Sequence, residues 1–359
     1  MNLSISNVYA PIKPFPSFGD LWFFTQAADG SLFTSWGDGF GPIDNVNQEN
    51  NIYSHHGLAR ITGIFPDVQI EIVQRHMPFS EASYNSKPTS LLFLDGRLYA
   101  AIHYPLCLPR RGIIAYSDNN GATFQLNPQA DRKVADNGRF ICLMFINMGR
   151  AYELNTDGFV YAFGTDAEVH QISSNWPIAP SKEMVVYLVR MPRDAILDYS
   201  SWTYFSGCDA NSEPVWSANW YNSLPIEGLS DVRLRESKEL DIPTLFSSMF
   251  HPSFGQYLAL TATISQGQLY YAPQPWGPWK SAGQWFKKGD GTAWYPCYMP
   301  ALVPKDTGTD SFYFVGSGQT NMWEHKSEEL DADIVEAHLF RKYSSYYFRI
   351  GQITLARTE

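Results

Sequence analysis

An all-β fold follows from three observations on the sequence. Apolar residues come in short runs rich in Tyr, Phe, Val, Ile and Leu, bounded by Gly, Pro, Asn and Asp, with no sustained helical period. A turn followed by an aromatic-bearing strand recurs along the chain. The spacing of those copies suits a closed ring of small sheets, a five-bladed β-propeller forming a single domain.

The copies are Asp29-Gly30-Ser31-Leu32-Phe33, Asp95-Gly96-Arg97-Leu98-Tyr99 and Asp157-Gly158-Phe159-Val160-Tyr161, with degenerate versions at 253–257 and 307–312. From Phe33 the aromatic recurs after 66, 62, 96 and 55 residues. A mean of about 70 residues suits four-stranded blades with long loops. The expected blades run over 10–80, 85–135, 136–215, 240–290 and 291–359, with an insertion over 207–244. Closing the ring removes exposed strand edges. The run Tyr346 to Leu355 completes the last blade beside an N-terminal strand from Leu3 to Tyr9. A pair of packed β-sheets is the plainer alternative.

Each element has its own signature. In the first blade, Gly19 to Gly39 reads as a hairpin about Asp29-Gly30. In the second, Leu91 to Leu94 leads through Asp95-Gly96 into Leu98 to Ile102. Ser117-Asp118-Asn119-Asn120-Gly121-Ala122-Thr123-Phe124 matches the Asp-box pattern S-x-D-x-G-x-T-W, with Asn119 and Phe124 in the Asp and Trp positions. Such a box is a hairpin between outer strands of a blade, a marker of fold rather than chemistry. Phe140 to Met148 is the longest apolar run and reads as a buried strand; Phe159 to Phe163 follows the third turn. Only Asp231 to Leu240 and Glu328 to Leu339 suggest short helices.

Composition bounds the function. Among 359 residues, 26 Lys+Arg face 36 Asp+Glu, a formal charge of −10 that argues against nucleic acid or an anionic membrane as the main partner. No window approaches 18 uncharged apolar residues, so no membrane span is expected. Met1 to Ser6 lacks the features of a signal peptide. The expected location is cytoplasmic if Met1 is the native start. Cys107, Cys142, Cys208 and Cys297 lie far apart and form no disulfide framework or zinc site.

The chemistry-bearing constellation sits in the first hairpin. Folding it about a two-residue turn puts Asp20 opposite Gly39 and Asp38 opposite Leu21; a three-residue turn puts both aspartates on one face. In either register they lie near each other at the open end, on the rim of a propeller's central funnel, whereas Asp29 sits structurally in the turn at the far end. Two neighbouring carboxylates among aromatic walls are what glycoside hydrolysis needs. One protonates the leaving oxygen and the other activates water or attacks the sugar.

Trp36-Gly37-Asp38-Gly39, preceded by a Gly-Asp and a Thr-x-Ala-x-Asp-Gly segment, resembles the opening of the family first described as domain of unknown function 4185. The resemblance continues through Val186 to Pro192, Ile196 to Asp198, Tyr204 to Gly207, Pro214 to Ser217, Trp276 to Trp279 and Tyr295 to Pro300. It covers nearly the whole chain in order. Members of that family resemble five-bladed propellers, and some, grouped as glycoside hydrolase family 183, are endo-D-arabinanases. The resemblance implies a polysaccharide or oligosaccharide substrate, a secreted or cell-surface location, and Asp20 and Asp38 as catalytic acids; a two-carboxylate mechanism needs no cofactor or metal. The chain departs from the family at Thr25-Gln26-Ala27 and in loops over Gln171 to Lys182 and Gln319 to Ser345. These departures bear on sugar specificity.

Further candidates flank this pair. Trp22, Trp36, Tyr104 and Trp294 fall near expected strand ends, where rings can stack on sugar faces, although 55 aromatics make packing between blades the plainer role. Arg60, Arg139 and His251 fall in or beside expected inner strands, where they can bind hydroxyls or tune the aspartates. His55-His56 reads as loop surface rather than a metal site. The resulting expectation is an arabinan-like glycosidase; the alternative is a lectin-like propeller that binds glycan without cutting it.

Overall fold

The computed structural model describes residues 2–12, 17–42, 54–78, 86–104, 111–127, 139–165, 185–229, 245–262, 266–295, 297–317 and 348–358. Every long element is a strand, and among the described residues the only helical pieces are 3₁₀ turns at Arg150–Tyr152, Tyr199–Ser201 and Trp220–Asn222. The two expected helices and the two long loops lie outside the described residues.

After β1 (Asn2–Val8), the chain forms five antiparallel meanders. The first holds β2 (Ser17–Asp20), β3 (Phe24–Gln26), β4 (Leu32–Pro42), β5 (Gly57–Ile64) and β6 (Asp67–Gln74). The second holds β7 (Lys87–Leu94), β8 (Arg97–Tyr104), β9 (Arg111–Ser117) and β10 (Gln125–Leu126). The third is β11 (Cys142–Asn147), β12 (Phe159–Thr165), β13 (Val186–Pro192), β14 (Thr203–Cys208) and β15 (Pro214–Ser217). The fourth is β16 (Ser247–His251), β17 (Gln256–Ala262), β18 (Gln266–Ala272) and β19 (Lys280–Lys287). The last is β20 (Tyr298–Leu302), β21 (Ser311–Ser317) and β22 (Arg349–Thr358), with β1 paired antiparallel on β22.

The third and fourth meanders merge into a nine-stranded sheet where β11 and β16 pair in parallel, Ile146 opposite Ser248. Leading strands therefore run side by side in one direction. β3 packs on β7, β7 on β11 and β16 on β20, and β2 touches β21, which returns the circuit to its start. Burial follows from this position. β7 and β11 are buried at every residue, because neighbours cover both faces. Outer β6 alternates instead, with Asp67, Gln69 and Glu71 exposed.

Aromatic side chains fill the spaces between sheets. Trp22 meets Phe348 edge-on at 5.1 Å, Phe33 stacks on Phe93 at 6.1 Å, and Trp285 contacts Trp294 and Phe314. The Asp-box sequence forms the turn between outer strands β9 and β10. Asn119 Oδ1 accepts from the Thr123 amide at 2.9 Å, and Ser117 Oγ accepts from the Gly121 amide at 2.8 Å. An asparagine oxygen thus performs the capping expected of the box's aspartate.

Two expectations are corrected. The insertion over 207–244 is shorter, because Gly207 to Ser217 belongs to β14 and β15 and the following segment packs back. Leu224 N donates to Phe205 O and Ile226 N to Val186 O. The first hairpin has a longer connection than either assumed turn. Gln26 lies opposite Leu32, leaving five residues between them, and a bulge then sets Asp20 opposite Gly37.

Candidate active site

The bulge positions both aspartates. Leu21, at φ 59°, interrupts the leading strand between β2 and β3, and Phe23 N donates to Leu21 O at 2.8 Å. Asp20 therefore sits at a kink, 4% exposed, at the end of β2. A Cβ on Gly37 would fall 2.7 Å from Leu21 Cδ1 and 2.9 Å from Asp20 Oδ1, so a side chain there would crowd that carboxylate. Asp38 is the next residue, at φ 45°, in the left-handed region that is uncommon for residues with a side chain and that aspartate enters more readily than most. A paired bridge follows, with Gly39 N donating to Ser54 O at 3.1 Å and Ser54 N to Gly39 O at 2.8 Å. It fixes His55 beside Asp38.

Asp38 Oδ1 lies 3.0 Å from His55 Nδ1 and accepts from Lys87 Nζ, the first residue of β7. Lys87 Nζ is also 3.1 Å from His55 Nδ1. Burial alone would raise the Asp38 pKa. The His55 hydrogen bond and the adjacent ammonium outweigh it and hold the carboxyl at about 2. Asp38 is accordingly ionised across the neutral and mildly acidic range.

The polar row continues past this cluster. His103 is the cross-strand partner of Lys87, and its Nδ1 lies 3.1 Å from Cys142 Sγ at the start of β11. His56, beside His55, is fully buried. Burial, and then the charge of Lys87, push its pKa down to about 3, so it is neutral. Neither histidine forms the expected loop surface: His55 lies against the Asp38 carboxylate and His56 is buried. Among the described residues no group of His, Cys, Asp and Glu has the arrangement to hold a metal ion.

The remaining sequence candidates go elsewhere. Trp22 and Trp36 have no exposed surface and pack on each other at 6.2 Å, so neither is available to a sugar face. Trp294 is likewise interior, its indole N–H donating to Tyr9 O at 2.8 Å. Tyr104, next to His103, is buried in the cluster of β7, β8 and β9. Arg60 sits at the opposite end of the hairpin, with Nε on Ser31 Oγ at 3.0 Å and Nη2 on Asp29. Arg139 clamps the 220–223 turn, donating to Trp220 O and Ser223 Oγ and lying 4.7 Å from the Tyr187 ring centre. His251 is buried against Phe254 and Phe312; burial lowers its pKa despite a 3.3 Å contact from Nε2 to Ser311 O.

Of the nine proposed residues, Asp38 takes part in the polar cluster with His55 and Lys87, while Asp20 lies on the facing strand opposite Gly37; His55, Lys87 and His103 were not among the nine. Lys87 carried a usable signal. It precedes Asp95-Gly96 by eight residues, much as Asp20 precedes Asp29-Gly30 by nine, so aligning the repeats puts both at the same end of their strands.

No family model matches the chain, and no curated protein matches it in sequence. Solved structures do share its fold. RS223 β-xylosidase aligns at TM-score 0.52 and 12% identity, over 97% of this chain and 95% of its own. A GH43_1 enzyme of Xanthomonas citri, solved with xylose, aligns at 0.51 and 12%, over 96% and 89%. An N-acetylgalactosamine deacetylase of F. plautii aligns at 0.50 and 10%, over 98% and 94%. The chain is thus similar in all-β architecture, over nearly its whole length, to proteins of carbohydrate chemistry.

Proposed function

We propose that the chain is a five-bladed β-propeller glycoside hydrolase that cuts a furanose-rich polysaccharide, arabinan-like in character, with Asp20 and Asp38 as its two carboxyl groups. The five meanders are the blades in this reading, and β1 on β22 closes the ring. The observation that carries the function is the pair itself. Asp20 is held over Gly37, and Asp38 is the following residue, ionised by Lys87 and His55. The β-xylosidase and the xylose-bound GH43_1 enzyme support a sugar substrate, and the family 183 resemblance supports arabinan.

The roles divide by charge. Asp38, already ionised, takes the proton of an attacking water or itself forms the glycosyl ester. Asp20 gives its proton to the leaving oxygen as the C1–O bond breaks, and the electron pair of that bond leaves with the oxygen. Lys87 and His55 are positioning residues, holding Asp38 in its charged form and fixed orientation. No step calls for a cofactor.

Reducing ends released from arabinan by the wild type, Asp20→Asn and Asp38→Asn test this reading. Each substitution is expected to lower kcat by at least about 100-fold, the scale of a lost acid or base. A wild type that binds a glycan from a broad panel yet releases no ends from any of them rejects hydrolysis and leaves a lectin-like propeller.

A further inference from the structure

A cavity lies at the turn end of the first hairpin, away from Asp20 and Asp38. Asp38 lies within β4 seven residues past Ser31, about 20 Å of extended strand from the Asp29-Gly30 turn that precedes β4. The cavity around that turn has a volume of about 590 Å³. Its walls come from the turn, from β5, and from segments just beyond β11, β16 and β20, so three later meanders converge on it with the first. Its size falls within the range of about 300–1,000 Å³ usual for small-molecule sites.

The lining has a particular chemistry. Three cationic and three carboxylate side chains face it and offset one another in charge: Arg60, Arg150 and Lys305 against Asp29, Glu153 and Asp306. Arg60 pairs with Asp29, and Arg150 Nε lies 3.7 Å from Glu153 Oε2. Lys305 Nζ donates to Gly63 O at 2.6 Å, and Asp306 Oδ2 accepts from the Phe65 amide at 3.1 Å. An anion entering here meets three carboxylates, and a cation meets three cations. A neutral ligand meets neither penalty and finds donors and acceptors side by side.

Hydrogen-bonding capacity is left over. Arg60 commits Nε and Nη2 to Ser31 and Asp29, which leaves the Nη1 N–H groups. Arg150 and Glu153 are more than half exposed and too far apart for a direct hydrogen bond, so both keep capacity for a third partner. Leu154, Phe250, Pro252 and Pro304 supply an apolar wall to the same space. A ligand dense in neutral hydroxyls with apolar C–H faces, a saccharide, matches all of these features.

We propose that this cavity is a second glycan-binding site, taking a short neutral oligosaccharide at the turn end of the first hairpin, away from Asp20 and Asp38. It tethers a polysaccharide without cutting it, and it stands whether or not the Asp20 and Asp38 site hydrolyses glycan.

Binding of arabino-oligosaccharides and xylotriose to the Asp38→Asn protein by titration calorimetry tests the site, with Arg150→Gln/Glu153→Gln and Phe250→Ala introduced separately into that background. The exposed Arg150/Glu153 pair is expected to be replaceable without loss of fold, checked by an unchanged thermal transition. Saturable binding of at least one sugar, weakened at least tenfold by either change, supports the site. In the otherwise wild-type protein, Arg150→Gln/Glu153→Gln should leave kcat on a short soluble substrate unchanged if the Asp20 and Asp38 site is hydrolytic. The proposal is overturned if neither sugar binds Asp38→Asn protein, or if binding is indifferent to both changes. Tighter binding of inorganic phosphate or a hexuronate than of the neutral sugars also overturns it. Loss of hydrolysis in Asp38→Asn with this binding intact separates the two sites.

Discussion

The ammonium of Lys87, in a residue only 7% exposed, is placed where a buried carboxylate needs it. Replacing it with Met removes the charge while keeping the stem. Burial, which raises the Asp38 pKa, is then opposed by His55 without the ammonium, so the pKa rises. The expected outcome for Lys87→Met is a fall in kcat/KM with its acid limb displaced to higher pH, partly restored by Lys87→Arg. A uniform loss with an unmoved pH profile would show that Lys87 matters only for packing. His56 makes a separate prediction on stability. Its folded pKa of about 3 lies below the ordinary 6.5, so in this window only the unfolded chain gains the proton as pH falls. Stability therefore drops by about 1.4 kcal/mol per unit between pH 6.5 and 3 on this account. The lowered His251 adds in the same sense. The lowered Asp38 acts at the acid end of that window and below it, contributing stability above its ordinary 3.8 that is lost as pH falls through about 2. Urea titrations at pH 7 and 5 should show a smaller loss for His56→Gln than for the wild type. At this scale the sequence singled out the two aspartates, but the hairpin sets Asp20 opposite Gly37, in neither of the registers that the turn suggests. The sequence showed Lys87 only through alignment of the repeats and hid its meeting with His55, which depends on one meander packing against the next. It also misassigned the tryptophans, since a ring near a strand end looks alike whether it faces solvent or a neighbouring sheet.

β4 shows how an element is shaped for one side chain. Trp36 lies flat on backbone, and a Cβ on Gly57, its cross-strand partner, would fall 2.1 Å from the indole Cζ2. That approach needs a residue with no side chain. Gly57→Ala would push the indole toward Trp22 and the Gly19–Asp20 kink. Overpacking of this kind costs about 1–3 kcal/mol. The expected result is a lower urea midpoint together with reduced glycan cleavage, because Asp20 shares the displaced wall; an unchanged midpoint would mean that the indole moves without resistance. The strands and their turns could be read from the sequence because alternation and Asp-Gly punctuation are properties of the chain itself. The register of the first hairpin could not. A five-residue connection and the Leu21 bulge replace the short turn that Asp29-Gly30 suggests, and they set Asp20 against Gly37.

Few charges and many aromatics suit a molecule of stacked sheets, whose leading strands are covered on both faces and whose interior is filled by rings. The last meander has an edge at β22, and here the N-terminal strand covers it. β1 pairs with β22 from Asn2 opposite Thr358 to Val8 opposite Ile353. Leu3 enters the cluster built by β17, β18 and β22, and Tyr9 O accepts the Trp294 indole N–H just beyond the strand. Removing residues 2–8 would uncover the edge of β22 and empty the Leu3 position. Loss of one buried leucine costs about 2–5 kcal/mol, and a bare edge strand invites pairing with another chain. The truncated protein is expected to melt several degrees lower and to self-associate on size exclusion. Leu3→Ala, which keeps the ladder, is expected to melt lower while remaining in the wild type's association state. If the truncated protein keeps both its melting temperature and its association state, β1 is an ornament on the last meander rather than its closing strand.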